Sequence, residues 1–142
     1  MSVEARIFVD TNILVYAYDV DSGRKHEVAR EHVTRLWGSR LGILSTQVLQ
    51  EFYVTVTRKL SSRLDPTVAR RLVATYQSWP VQLVDVASVL EAIDIAERHQ
   101  LSFWDGLIVT AARRAGARRV LSEDFRPGRN IEGVLIENPF AD

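Results

Sequence analysis

The strongest constraint on this chain is a repeated alternation between short, continuously apolar runs and amphipathic helical stretches. Ile7-Phe8-Val9 is an unbroken apolar run, the pattern of a strand covered on both faces. A short helix follows Asp10-Thr11-Asn12 and carries Ile13, Leu14, Tyr16 and Ala17. Helical spacing resumes from about Lys25 to Trp37 through Val28, Ala29, His32, Val33 and Leu36, and Gly38 is the expected stop. Leu41 to Leu44 reads as a second strand, after which Ser45 or Thr46 can cap a helix running to about Lys59. Asp65-Pro66 places a capping carboxylate before a first-turn proline, opening a helix that ends near Trp79-Pro80. Val81 to Val84 predicts a third strand and Ala87 to about His99 another helix. Ser102 opens a further helix through Ala115 that Gly116 stops, and Val120-Leu121 and Val134 to Ile136 supply the last strands. Strands alternating with helices predict an α/β fold in three layers, a central parallel sheet of about five strands between helices. Ligands of such sheets bind beyond the carboxyl ends of the strands, so acids at those ends are the residues of interest.

Composition narrows the chemistry. The 142 residues suit one domain spanning 1–142, and 46% hydrophobic residues suffice for a core without covalent staples. The absence of cysteine excludes thiol catalysis, zinc–thiolate sites and disulfides. The amino terminus does not read as a signal peptide, and no run approaches the ~20 apolar residues of a membrane span. A cytoplasmic protein without membrane contact is expected. With 18 basic and 18 acidic residues the net charge is zero, which argues against a broadly basic nucleic-acid binder. Locally, the segment from Arg98 to Arg129 holds seven arginines (98, 113, 114, 118, 119, 126, 129) against Asp105, Glu123 and Asp124. That excess suits either a polyanion or a solvated face.

Each acid has a structural alternative. Asp10 ends the first strand, where it can act as a functional carboxylate or cap the next helix. Glu51 lies off the Val48, Leu49, Phe52 and Val56 stripe, the position of an ordinary surface glutamate. Asp105 in Ser102-Phe103-Trp104-Asp105 fits a capping box. It also shares its side of the helix with Ile108, Val109 and Ala112, which predicts partial burial. Glu123 and Asp124 follow a strand, in a loop whose Pro127 and Gly128 also suit plain turn chemistry. Several carboxylates on one rim, with no cysteine and few histidines, suit a hard cation such as Mg²⁺ or Mn²⁺.

Four segments together resemble the PIN domains. Phe8-Val9-Asp10-Thr11-Asn12 is similar to their opening, and Gln47-Val48-Leu49-Gln50-Glu51-Phe52-Tyr53 to their second acidic motif. Ser102-Phe103-Trp104-Asp105-Gly106-Leu107-Ile108 resembles the third, and Leu121-Ser122-Glu123-Asp124-Phe125 the fourth. The ending Ile136-Glu137-Asn138-Pro139-Phe140 resembles VapC-type toxins in particular. This resemblance implies an Mg²⁺-dependent endoribonuclease, with Mn²⁺ able to substitute, acting as the toxin of a toxin–antitoxin pair. It implies a PIN-like fold, a metal site of Asp10, Glu51, Asp105 and Asp124, a homodimer and a cognate antitoxin. Asp10 and Asp105 are then the expected direct ligands. Thr11, Asn12, Ser122 and Glu123 would support that site or position substrate, with Asp124 favoured over Glu123 to face the metal. Arg113, Arg114, Arg118 and Arg126 are the candidates for RNA phosphates.

Two rival readings differ in class. A phosphatase or phosphotransferase using Asp10 as nucleophile commonly wants a second acid two residues on, where Asn12 stands, and the chain has no phosphate-binding glycine-rich fingerprint. A non-catalytic interaction domain of the same fold is opposed by the presence of all four acids.

Overall fold

The computed structural model describes residues 5–126 and 128–141. Among the described residues six strands form one sheet: β1 (Arg6–Val9), β2 (Gly42–Ser45), β3 (Val81–Gln82), β4 (Ala117–Leu121), β5 (Asn130–Ile131) and β6 (Val134–Glu137). Their order across the sheet is β3-β2-β1-β4-β6-β5. All pairs are parallel except β5 with β6. The sequence pattern predicts about five strands and misses β5. A two-residue strand carries no periodicity, and this one is defined by hairpin pairing of Asn130 and Ile131 with Leu135 and Val134.

The strands are connected by the α-helices α1 (Thr11–Tyr16), α2 (Arg24–Ser39), α3 (Thr46–Arg58), α4 (Pro66–Thr75), α5 (Val86–His99) and α6 (Phe103–Arg114). Helices α1 to α4 pack against one another, on one side of the sheet. The antiparallel α5–α6 pair covers the other side, as right-handed crossovers that reverse direction require. None of the helices is long and apolar enough to cross a membrane, among the described residues.

Local chemistry explains most boundaries. Ser45 Oγ accepts from the Val48 N–H, and the Asp65 carboxylate accepts from the Thr67 N–H beside Pro66. Asp85 and Ser88 form a reciprocal capping box at α5. Several expected boundaries shift, and β4 opens at Ala117 rather than Val120. Helix α2 passes through Gly38 and ends when Arg40 turns left-handed at φ 61°, its N–H satisfied by the Leu36 carbonyl. Helix α4 stops at Thr75 and tightens into a 3-10 turn over Tyr76–Ser78. The third strand keeps only Val81–Gln82, because its pairing with Leu44 and Ser45 runs out there.

The core fills both faces of the sheet. Phe8, Val9, Ile43, Leu44, Val120 and Ile136 are buried from the strands, and Ile13, Phe52, Val56, Ile108 and Val109 from the helices. Each such side chain contributes about 1.5–3 kcal/mol of transfer free energy. Gly106 decides how closely α6 approaches α5: a Cβ there would lie 2.5 Å from the Ala92 carbonyl oxygen and 3.0 Å from the Ala96 Cβ.

Candidate metal-binding acidic site

The strand order places a crevice at one spot. After β1 the chain moves outward to β2 and β3, then returns across the sheet to lay β4 on the other side of β1. The carboxyl ends of β1 and β4 therefore flank the point where connections diverge, the usual ligand position in an open α/β sheet. Val9 pairs with Leu121 in register, and Asp10 N–H donates to the Leu121 carbonyl at 3.0 Å. Asp10 and Ser122 are thus neighbours immediately beyond the sheet.

Asp10 is buried at 5% exposure. One carboxylate oxygen accepts from the Thr11 N–H at 2.7 Å, and the other from the Ser122 hydroxyl at 2.7 Å. Burial pushes its pKa up to about 7, against the downward pull of these two hydrogen bonds. The negative charges of Asp124 and Asp105 push it further in the same direction. Asp10 therefore acts both as the cap of α1 and as the buried acid of the rim.

Asp105 sits in the first turn of α6, half-buried as its helical side predicts. Its N–H donates to the Ser102 hydroxyl at 3.1 Å, so the serine half of the expected capping box is formed. Burial raises its pKa, and the Asp124 charge adds to the rise. Asp124 is exposed on the loop after β4, with its N–H donating to Ser122 Oγ at 3.1 Å. Ser122, fully buried, thereby joins the Asp10 carboxylate to the Asp124 backbone. Glu51 is exposed on α3 and reaches this region through Thr11, whose hydroxyl donates to it at 3.1 Å.

Glu123 turns the other way. Its carboxylate accepts from the Tyr16 hydroxyl at 2.6 Å and from Lys25 Nζ at 2.5 Å, while its N–H donates to the Asn12 side-chain oxygen at 3.3 Å. Burial pushes its pKa up, but the Lys25 and Tyr16 hydrogen bonds outweigh it and hold the carboxyl below its ordinary value. Neither Tyr16 nor Lys25 stands out in the sequence, where one belongs to an apolar helix stripe and the other opens the next helix. Asn12 spends its oxygen on the loop, and its buried amide nitrogen has no partner among the described residues.

The arginines divide by position. Arg113 and Arg114 close α6 at the end remote from Asp105, roughly 12 Å along the axis at about 1.5 Å per residue. Both pair with Glu91, and Arg114 also with Asp85. Arg118 is exposed at the far end of β4, about 13 Å from Ser122 at ~3.3 Å per residue. Arg126 is exposed two residues beyond Asp124, on the site loop. Arg98 pairs with Glu132 and Arg119 with Glu137, while Arg129 donates to the His99 carbonyl. The arginine-rich segment is therefore largely neutralised by acids outside it.

Asp10, Asp105 and Asp124 form an all-oxygen donor set that suits a hard divalent cation, which would relieve their mutual repulsion. Among the described residues no three acidic or histidine side chains already stand at ligand spacing. Ligation by these acids would therefore need side-chain adjustment, for which Asp124 and Glu51 are exposed. A concavity of about 620 Å³ lies elsewhere, between Thr46, Leu49, Val73 and Trp79.

A sequence model described as the PIN domain matches residues 7–130. No functionally curated protein matches the chain. Among solved structures, the chain is similar to VapC20 of Mycobacterium tuberculosis, described as a sarcin-ricin loop cleaving toxin. That likeness has a TM-score of 0.65 and 24% identity, covering 83% of this chain and 89% of that one. A toxin–antitoxin complex from Klebsiella pneumoniae gives a TM-score of 0.67 at 17% identity, covering 96% of this chain and 98% of that one. DNA-bound VapBC from Salmonella typhimurium gives 0.65 at 19%, covering 96% and 99%. At these identities the likeness is one of fold.

Proposed function

The chain belongs to the PIN-domain family, and from that premise we propose that it is a metal-dependent endoribonuclease, the toxin of a toxin–antitoxin pair. The observation that carries this reading is Asp10: a buried carboxylate at the switch point, its pKa pushed up to about 7, facing the charges of two further acids. Held ionised, such a carboxylate is costly unless a cation completes the site. The likeness to toxin–antitoxin complexes supports an antitoxin partner. A homodimer belongs to the same reading and rests on the family resemblance.

Mg²⁺, with Mn²⁺ able to replace it, supplies when bound a positive charge for the phosphoryl oxygen and a lowered pKa for an attached water. Asp10 and Asp105 would hold it directly, and Glu51 and Asp124 directly or through water. Ser122 fixes the Asp10 carboxylate from one side and the Thr11 N–H from the other. The Thr11 hydroxyl orients Glu51, which lies on the open side where a water can approach. In this reading Arg126, on the same loop as Asp124, would meet an RNA phosphate, whereas Arg113, Arg114 and Arg118 lie at the opposite end of α6 and β4.

The test is purified protein incubated with total RNA, with Mg²⁺ or with EDTA, followed by mapping of new ends. Discrete Mg²⁺-dependent cleavages are expected. Expression of the wild-type chain should arrest growth, and the Asp10→Asn form should not. Intact RNA under both conditions, or arrest equally strong from Asp10→Asn, rejects the reading.

A further inference from the structure

Four groups far apart in sequence meet behind the acidic rim, and the acidic site uses none of them directly. Tyr16 ends α1, Lys25 lies in the first turn of α2, Glu123 follows β4, and Phe140 belongs to the carboxyl-terminal segment. Glu123 receives both Tyr16 and Lys25. Lys25 Nζ lies 5.2 Å from the Tyr16 ring centre and 5.5 Å from that of Phe140. The Phe140 ring meets Tyr16 edge-on at 5.3 Å and 88°. Phe140 is itself fixed by an Asx turn, its N–H donating to the Asn138 side chain at 2.9 Å.

We propose that Lys25, Glu123 and Tyr16, closed over by Phe140, form a clamp that positions Asp124, so that Glu123 is a positioning residue and not a metal ligand. The proposal rests on the metal-site reading above. Two consecutive carboxylates follow β4, and only one can be turned toward Asp10 while the backbone holds its course. The clamp takes Glu123 to the α1–α2 side. Asp124 is then the acid of the pair outside the clamp, beside the Ser122 hydroxyl that donates to the Asp10 carboxylate. Its backbone is tied by Ser122, and the residue before it by Asn12. Aromatic faces over the ammonium favour the charged lysine and shield its ion pair with Glu123, whose side chain is 25% exposed. With side chains 44% and 25% exposed, the pair is screened less by salt than a fully solvated one. Through the same contacts Phe140 ties the carboxyl-terminal segment to Tyr16 and Lys25.

The experiment uses the full chain and Mn²⁺ alone as probe, with affinity read by calorimetry. Groups that orient ligands typically change metal affinity 10- to 100-fold when removed. Lys25→Met should therefore weaken Mn²⁺ at least about tenfold, and Lys25→Arg should keep affinity within about threefold. In an Asp124→Asn background, Lys25→Met should cause no further loss, since the clamp acts through Asp124. Amide exchange of the metal-free protein should quicken at Glu123 and Asp124 in Lys25→Met while α5 and α6 stay protected. The clamp is overturned if Lys25→Met binds Mn²⁺ as the wild type does, weakens it equally in both backgrounds, or leaves loop exchange unchanged. A wild-type chain that binds no Mn²⁺ removes the metal-site reading as well, and that result is visible in the wild-type arm alone.

Discussion

The Ser122 hydroxyl donates a 2.7 Å hydrogen bond to the Asp10 carboxylate across 112 residues of sequence. The bond spans the two strands between which the sheet reverses its winding, and its donor is fully buried. Ser122 also accepts from the Asp124 N–H. One hydroxyl thus sets the orientation of the buried acid and the course of the loop bearing an exposed one.

Replacing Asp10 by Asn keeps the shape and removes one ligand charge. RNA cleavage should slow at least about 100-fold, which corresponds to roughly 3 kcal/mol of transition-state stabilisation at a charge-clamp site. Circular dichroism should be unchanged. Single-turnover rates on a mapped RNA check this, and a variant cleaving at the wild-type rate removes Asp10 from the mechanism.

The raised pKa of Asp10 makes metal-free stability depend on pH. An unfolded aspartate titrates near its ordinary value of 3.8, whereas the folded one retains its proton to about 7. Between those values the native state binds the extra proton, so unfolding free energy falls as pH rises. This contribution is fully present below about 4 and lost as pH passes 7. Melting in EDTA should show that slope, and Asp10→Asn should flatten it. Ser122→Ala should shift the native titration upward, because it removes a hydrogen bond that favours the charged form. A slope identical in wild type and Asp10→Asn contradicts the assignment.

Magnesium should stabilise the fold by binding only the assembled acids. With a dissociation constant of ~1 mM, ~10 mM Mg²⁺ adds roughly 1.4 kcal/mol. That corresponds to a melting shift of about 3–6 °C for a domain of this size. Asp105→Asn should leave the metal-free melting temperature unchanged or raise it, since it removes repulsion with Asp124. It should also shrink the Mg²⁺ response. Asp65→Asn is the control, because its carboxylate caps α4 through the Thr67 N–H at 2.8 Å. An Asp105 variant that gains as much from Mg²⁺ as wild type does not lack a ligand.

Gly106 links helix packing to the site. Its added Cβ would meet the Ala92 carbonyl oxygen at 2.5 Å, and backbone cannot retreat as a flexible side chain would. Gly106→Ala should therefore cost about 1–3 kcal/mol by overpacking. It should also slow cleavage, because Asp105 precedes it in the first turn of α6. Denaturant melts and RNA cleavage on the same sample separate the effects. Unchanged stability and unchanged rate would mean α6 shifts freely against α5.

Much of this protein is legible along the chain. Ile7-Phe8-Val9 ending at Asp10, Ser45 before Val48, and Asp65-Pro66 fix strands, caps and helices because their causes act within a few residues. The parallel sheet follows, since strands separated by helices have few other ways to pack. The α2 terminus at Arg40 rather than Gly38 and the two-residue β5 are hidden, because pairing and packing decide them. Similarity of motifs singles out Asp10, Glu51, Asp105 and Asp124, but no local rule separates Glu123 from its neighbour. Tertiary structure separates them: Tyr16 and Lys25, 107 and 98 residues away, draw Glu123 to themselves. The arginine-rich stretch likewise reads as one charged tract until the fold brings Glu91, Glu132 and Glu137 against it. Sequence fixes what a residue can do to its near neighbours on the chain. Which distant charge or hydroxyl stands against it, and hence where its carboxylate points and when it holds a proton, is decided only when the sheet assembles.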